Sequence, residues 1–352
     1  MTSIWHYYLF SGIIAAMGMA CLGVVTNNTL ISHWFVKKRG TVMGLATSGM
    51  GVGMVILVPF AQWMISQYGF RWAYAAMSLM ALLIIAPITG LFLYDRPQDL
   101  GLLPDGESHL TEEEKSTLNQ KTRPQPQVIL DTQWADTNWT LSKAIRTVRF
   151  WALLIGIWIL MVGLYGVMIH QVSHTVDVGL SKLTAASSFG ILGLMESVGK
   201  AGWGFTSDRI GREMALTLGL LSTALGVVFL LALKNPSQLW ILYVYTGLFG
   251  LGYGSVAPVF AALTADLFQG QNLGSIYGFI VTSAGIGGAI GPPLSGYIYD
   301  VSGSYRLALI VALLLIALSC ISVWIAAPRK VRPVTGRALA AARKAKTSPT
   351  TA

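Results

Sequence analysis

Residues 35–71 read FVKKRGTVMGLATSGMGVGMVILVPFAQWMISQYGFR, and residues 269–306 read QGQNLGSIYGFIVTSAGIGGAIGPPLSGYIYDVSGSYR. Gly40, Gly44, Pro59 and Gly69 of the first stretch recur as Gly274, Gly278, Pro293 and Gly303 of the second, at a constant offset of 234 residues. Phe35 and Arg71 find counterparts in Phe268 and Arg306, each displaced by one residue. Long-period similarity between apolar segments predicts an internal structural repeat in a helical membrane protein.

Composition agrees. Of 352 residues, 54% are apolar and 11% charged, against about 25% charged in soluble chains. Mean hydropathy is +0.61. These values exclude a disordered chain and disfavour a soluble enzyme. Glycine, at 38 residues, suits close helix contacts in lipid. The net charge of +9 is concentrated in a tail carrying Arg329, Lys330, Arg332, Arg337, Arg343, Lys344 and Lys346. A basic segment directly after an apolar helix reads as a cytoplasmic anchor rather than a nucleic-acid surface. Cys21 and Cys320 both fall inside apolar runs, so neither a disulfide framework nor a metal cluster is expected. The first apolar run is too long for a signal-peptide core and lacks a basic leader.

Nine stretches are long enough to span a bilayer: 7–32, 41–66, 71–94, 150–170, 183–205, 214–233, 239–262, 273–297 and 306–327, each near the roughly 20 residues required. The expected organisation is a partial bundle of three spans over 1–94, a central loop over 95–148, a six-helix bundle over 149–328 and a basic tail over 329–352. The run Trp139 to Trp151 reads as an amphipathic surface helix. If the spans alternate, the Lys and Arg excess places loops 33–40, 95–148, 206–213 and 263–272, with the tail, in the cytoplasm. Spans one to three then repeat as spans seven to nine. Spans four to six have no counterpart within the chain, so the pattern predicts a transporter of repeated three-helix units lacking its first three helices. On that reading Gly44, Gly49 and Gly51 should face lipid.

The stretch Gly204-Phe205-Thr206-Ser207-Asp208-Arg209-Ile210-Gly211-Arg212 resembles the Gly-x-x-x-Asp-Arg-x-Gly-Arg signature of the major facilitator superfamily. Trp34 to Gly40 resembles that family's loop between helices four and five, and Arg96 to Gly101 its exit from helix six. Phe189 to Gly204 and Gly291 to Asp300 are similar to helices eight and eleven of its monocarboxylate transporter and oxalate/formate antiporter branch. The resemblance covers the whole chain as helices four to twelve. It implies an all-α polytopic fold and a non-enzymatic secondary transporter, with a small organic anion moved by alternating access and a proton or counter-anion as the coupled partner. No cofactor is implied. A drug or metabolite exporter, or an inactive remnant, are the alternatives.

Glu196 and Lys200 carry the strongest chemical signal. They lie mid-span at i,i+4 spacing, on one helix face, where ionisable groups face a cavity or a partner. Lys200 would attract an anion, and Glu196 would restrain it or take up a proton. The family often has Asp and Arg there, and lysine lacks arginine's forked geometry. Asn27, Asn28, Tyr165 and Tyr253 could hydrogen-bond a substrate. His170 is a second candidate proton carrier. Asp208, Arg209, Gly211 and Arg212, with Lys38 and Arg39, read as a gate. Asp208 is expected to face the N-terminal end of the eighth span near Gly274. No Ser/His/Asp set, Walker lysine or zinc-ligand spacing is visible.

Overall fold

The computed structural model describes residues 5, 8–36, 38–100, 102, 104–106, 131–326, 329 and 331. The acidic run at 111–115 and the tail beyond 331 lie outside the described residues.

The helices are α1 (Ala15–Leu22), α2 (Val24–Trp34), α3 (Arg39–Tyr68), α4 (Phe70–Met80), α5 (Ala86–Phe92), α6 (Thr132–Asp136), α7 (Leu141–Ala144), α8 (Val148–Asp177), α9 (Lys182–Ile210), α10 (Arg212–Ala232), α11 (Leu239–Tyr253), α12 (Val256–Leu267), α13 (Leu273–Ser302) and α14 (Arg306–Ala326). No strand occurs among the described residues. Among the described residues, six spans are long and apolar enough to cross a membrane, including Phe70–Leu91, Val148–Asp177 and Pro236–Leu267. At 30 and 29 residues, α3 and α9 also exceed the roughly 20 that a crossing needs.

The repeat is visible in the helix ends. Both bounds of α13 lie 234 residues after those of α3, Arg39 to Leu273 and Tyr68 to Ser302. Each helix stops at a glycine with positive φ, Gly69 at 84° and Gly303 at 67°, a conformation costly for residues with a Cβ. Where the sequence predicted uninterrupted spans, the first is broken at Gly23 and the seventh at Gly254–Ser255. The expected surface helix over 139–151 is instead two pieces, α7 and the start of α8. Thr140 and Thr147 each open a new helix by accepting from a backbone amide, of Lys143 and Phe150.

The core lies where α8 packs on α13 and α14, and where α10 and α9 pack on α11. The first half of the chain attaches through α3, which packs on α9 and α12, and through α2, which packs on α13 and α12. The α3–α9 seam corrects the expectation that Gly44 and Gly51 face lipid. A methyl at Gly44 would collide with the Lys200 carbonyl, and one at Gly51 with the Ser197 hydroxyl. Only Gly49 of the three has nothing nearby. Small residues let two backbones approach, and the sequence pattern carries no record of which neighbour uses them.

Candidate functional site

Two polar sites sit on α9, eight residues apart. The inner one is the ion pair. Lys200 Nζ lies 2.7 Å from Glu196 Oε1, with both side chains largely buried. Tyr253 lies close to Tyr165 and Glu196, so four of the predicted residues converge. The backbone around Lys200 is wedged from two sides. Gly44 of α3 backs onto its carbonyl. Gly254, at the break between α11 and α12, backs onto its amide and the Glu196 carbonyl. The break therefore serves close approach, and the ion pair sits on a stretch of helix that both neighbours hold fixed.

The outer site is the signature loop. Gly211 ends α9 at φ 103°, which turns the chain sharply enough for Arg212 to open α10 while reaching back to Asp208 at 2.5 Å. The Asp208 carboxylate also accepts from the amide of Gly40 at 3.1 Å and from the amide and hydroxyl of Thr41 at 2.7 and 2.6 Å. It therefore caps the N-terminus of α3, where free amides and the helix dipole favour an anion. The expected partner was the equivalent end of the eighth span at Gly274. That position instead faces Thr29 of the first span. The two helix ends are repeat-equivalent, and the packing of α9 on α3 selects Gly40.

Behind this cap lies a buried three-residue knot. Asp266 accepts from Arg39 Nη1 at 2.8 Å and from Arg212 Nε at 2.9 Å. Arg39 is 1% exposed, Arg212 4% and Asp266 7%. Arg39 also donates to the carbonyls of Phe35 and Ser32, and Arg212 to the Ser207 hydroxyl at 2.7 Å. Two guanidiniums and two carboxylates thus neutralise one another, the condition under which charges tolerate burial. Asp266 was not singled out in the sequence, although a lone acid at the end of the apolar run 256–267 is a signal of a buried partner.

The remaining predicted residues lie elsewhere. Arg209 is exposed and stacks over Phe205 at 3.9 Å, and Lys38 is exposed at the start of α3. Asn27 donates to the Gly23 carbonyl at 3.1 Å, while Asn28 reaches the Tyr277 hydroxyl at 3.4 Å. His170 lies at the other end of the molecule from Asp208. Its Nε2 is 2.9 Å from the Pro292 carbonyl and its Nδ1 3.2 Å from the Tyr305 hydroxyl. A carbonyl only accepts, so Nε2 carries the proton and Nδ1 accepts from Tyr305 in the neutral ring. Burial, first of all, raises the Tyr305 pKa above its ordinary value, which keeps that hydroxyl a donor. Among the described residues no group of His, Cys, Asp and Glu is placed to hold a metal ion.

Long apolar helices, two of them repeat-equivalent, with an ion pair buried mid-helix, define a polytopic membrane protein. The sequence model of the Major Facilitator Superfamily matches residues 1–203 and 177–351, and the chain belongs to that family. The chain is 27% identical over 316 residues to monocarboxylate transporter 13 of Bos taurus, covering 88% of this chain and 65% of the relative. It is 28% identical over 312 residues to monocarboxylate transporter 13 of Rattus norvegicus, with the same coverage. Human monocarboxylate transporter 2 is 26% identical over 310 residues, 87% of this chain and 62% of that protein. The chain thus spans just under two thirds of the length of these curated relatives. Among solved structures, the E. coli fucose:proton symporter FucP aligns with a TM-score of 0.46 at 14% identity, covering 86% of this chain and 90% of that one.

Proposed function

We propose that the chain serves as a secondary transporter of a small, monocarboxylate-like organic anion, working by alternating access. The observation that carries this reading is the Lys200–Glu196 pair, 2.7 Å apart and largely buried in the middle of α9. A carboxylate entering a low-dielectric cavity needs a positive charge to meet it. Lys200 supplies that charge, and Tyr165 and Tyr253 supply hydrogen-bond donors beside it. Glu196 occupies the ammonium in the empty site. A proton arriving on Glu196 removes its charge and frees Lys200 for the substrate, so proton and anion binding reinforce each other. An exchanged anion would do the same by direct substitution. The similarity to monocarboxylate transporters supports the substrate class. His170 provides a second titratable group at the far end.

The gate in this proposal is Asp208, Arg212, Arg39 and Asp266. It ties the start of α3 to α9, α10 and α12, so separating the two halves means breaking both the cap and the knot. The Lys and Arg distribution supports placing this end, with the 95–148 linker and the basic tail, on the cytoplasmic side of the plasma membrane. On the same grounds we read 1–94 and 149–328 as the two moving units. The test is binding. Thermal unfolding of the purified chain should shift upward with a panel of small monocarboxylates, and Lys200→Ala should remove the shift. A panel without effect on the parent chain argues against an anion substrate.

A further inference from the structure

The described end of the central linker is clipped to the segment that carries the gate's shared carboxylate. Trp134 Nε1 donates to the Leu267 carbonyl at 2.7 Å. Leu267 ends α12, where carbonyls lack helical partners, and it directly follows Asp266. Trp139 Nε1 donates to the Trp134 carbonyl at 3.0 Å, and the Trp139 carbonyl accepts from Asn272 Nδ2 at 3.1 Å. The two indoles lie 4.3 Å apart, and both pack on Phe268, Trp139 edge-on at 5.3 Å. Arg149 covers the other side of Trp134 at 4.1 Å. Phe268 is fully buried in this cluster. Residues 266, 267 and 268 therefore serve in turn as gate acid, linker acceptor and linker anchor. A linker that only spanned two bundles would need none of these contacts.

The geometry points to Trp134 and Trp139 as positioning residues of the gate: the linker clip holds the end of α12 so that Asp266 reaches Arg39 and Arg212 together. Whatever pulls on the linker then loosens the gate, which makes the clip a route by which events on the linker side reach the substrate path. This inference rests on the gate reading above.

The test separates the two. Cys21 and Cys320 are replaced by alanine, and a reporter cysteine is placed by Thr47→Cys. Thr47 is buried, one turn inward from Gly44 on α3. Its labelling rate by a water-soluble maleimide is measured in the purified chain. Trp134→Phe keeps a ring but removes the indole donor. It should raise the rate about two- to tenfold, the weight of one hydrogen bond. Asp266→Asn should raise it as well, and the double variant should match Asp266→Asn alone, because the clip acts through that residue. An unchanged rate in Trp134→Phe, or a full extra factor on top of Asp266→Asn, overturns the clip while leaving the gate intact. An unchanged rate in Asp266→Asn overturns the gate and the clip with it. If Trp134→Phe does not fold, Asn272→Ala, which frees the Trp139 carbonyl, is subjected to the same comparison.

Discussion

Asp208 and Thr41, 167 residues apart in the chain, meet at a single carboxylate oxygen, which accepts both the backbone amide and the hydroxyl of Thr41. A helix cap of this kind normally comes from the residue next to the helix. Here it comes from the other half of the molecule, so the first turn of α3 is fully satisfied only while the two halves touch. In the gating role proposed for this loop, the cap acts as a lock.

Breaking the lock has a predictable direction. Asp208→Asn keeps an acceptor but loses the charge, and Asp208→Ala loses both. A side-chain cap contributes about 0.5–2 kcal/mol and the charge on the helix end about 0.3–1 kcal/mol more. The thiol-labelling rate at Thr47→Cys should therefore rise in the order parent, Asn, Ala. Equal rates in all three would reduce the loop to a topogenic turn.

The knot should be asymmetric. Asp266 serves two buried guanidiniums, whereas Arg39 leaves behind a carboxylate still held by Arg212. Removing one member of a buried pair costs about 3–5 kcal/mol when the other is stranded. Asp266→Ala should thus lower the thermal midpoint of the chain clearly more than Arg39→Ala. The reverse order would mean that the carbonyl contacts of Arg39, rather than the shared acid, hold this end together.

The seam offers a matched control. Gly44→Ala places a methyl against the Lys200 carbonyl, while Gly49→Ala meets nothing within 4 Å. Overpacking of this sort costs about 1–3 kcal/mol. Gly44→Ala should lower both thermal stability and anion affinity, and Gly49→Ala neither. If Gly44→Ala changes stability alone, the seam does not position Lys200.

How much of this was legible beforehand follows from where each signal resides. The spans and the Glu196–Lys200 pair are local in sequence, an apolar run or a charge inside one, and the repeat is a constant offset between two such runs; the structure places them in helices, with the first and seventh spans broken. Asp208 and Arg212 were marked by their motif. The partner of Asp208 was not readable. Gly40 and Gly274 are equivalent under the repeat, and only the three-dimensional packing of α9 distinguishes them. The burial of Gly44 was missed for the same reason. Asp266 was overlooked because nothing within a few residues of it is charged; its partners lie 227 and 54 residues away. The linker clip is likewise a set of contacts between 134–139 and 267–272 that no periodicity announces.

The central claim is that Glu196 and the substrate compete for Lys200. The measurement that tests it most directly is the affinity of the purified chain for a fully ionised small monocarboxylate, taken across the pH range in the parent, Glu196→Gln and Lys200→Ala. A proton on Glu196 releases the ammonium, so parent affinity should rise as pH falls. Glu196→Gln should bind at least as tightly as the parent at its best, with that pH dependence gone. Lys200→Ala should not bind measurably at any pH. Retained binding in Lys200→Ala, or an unchanged pH dependence in Glu196→Gln, would contradict the account.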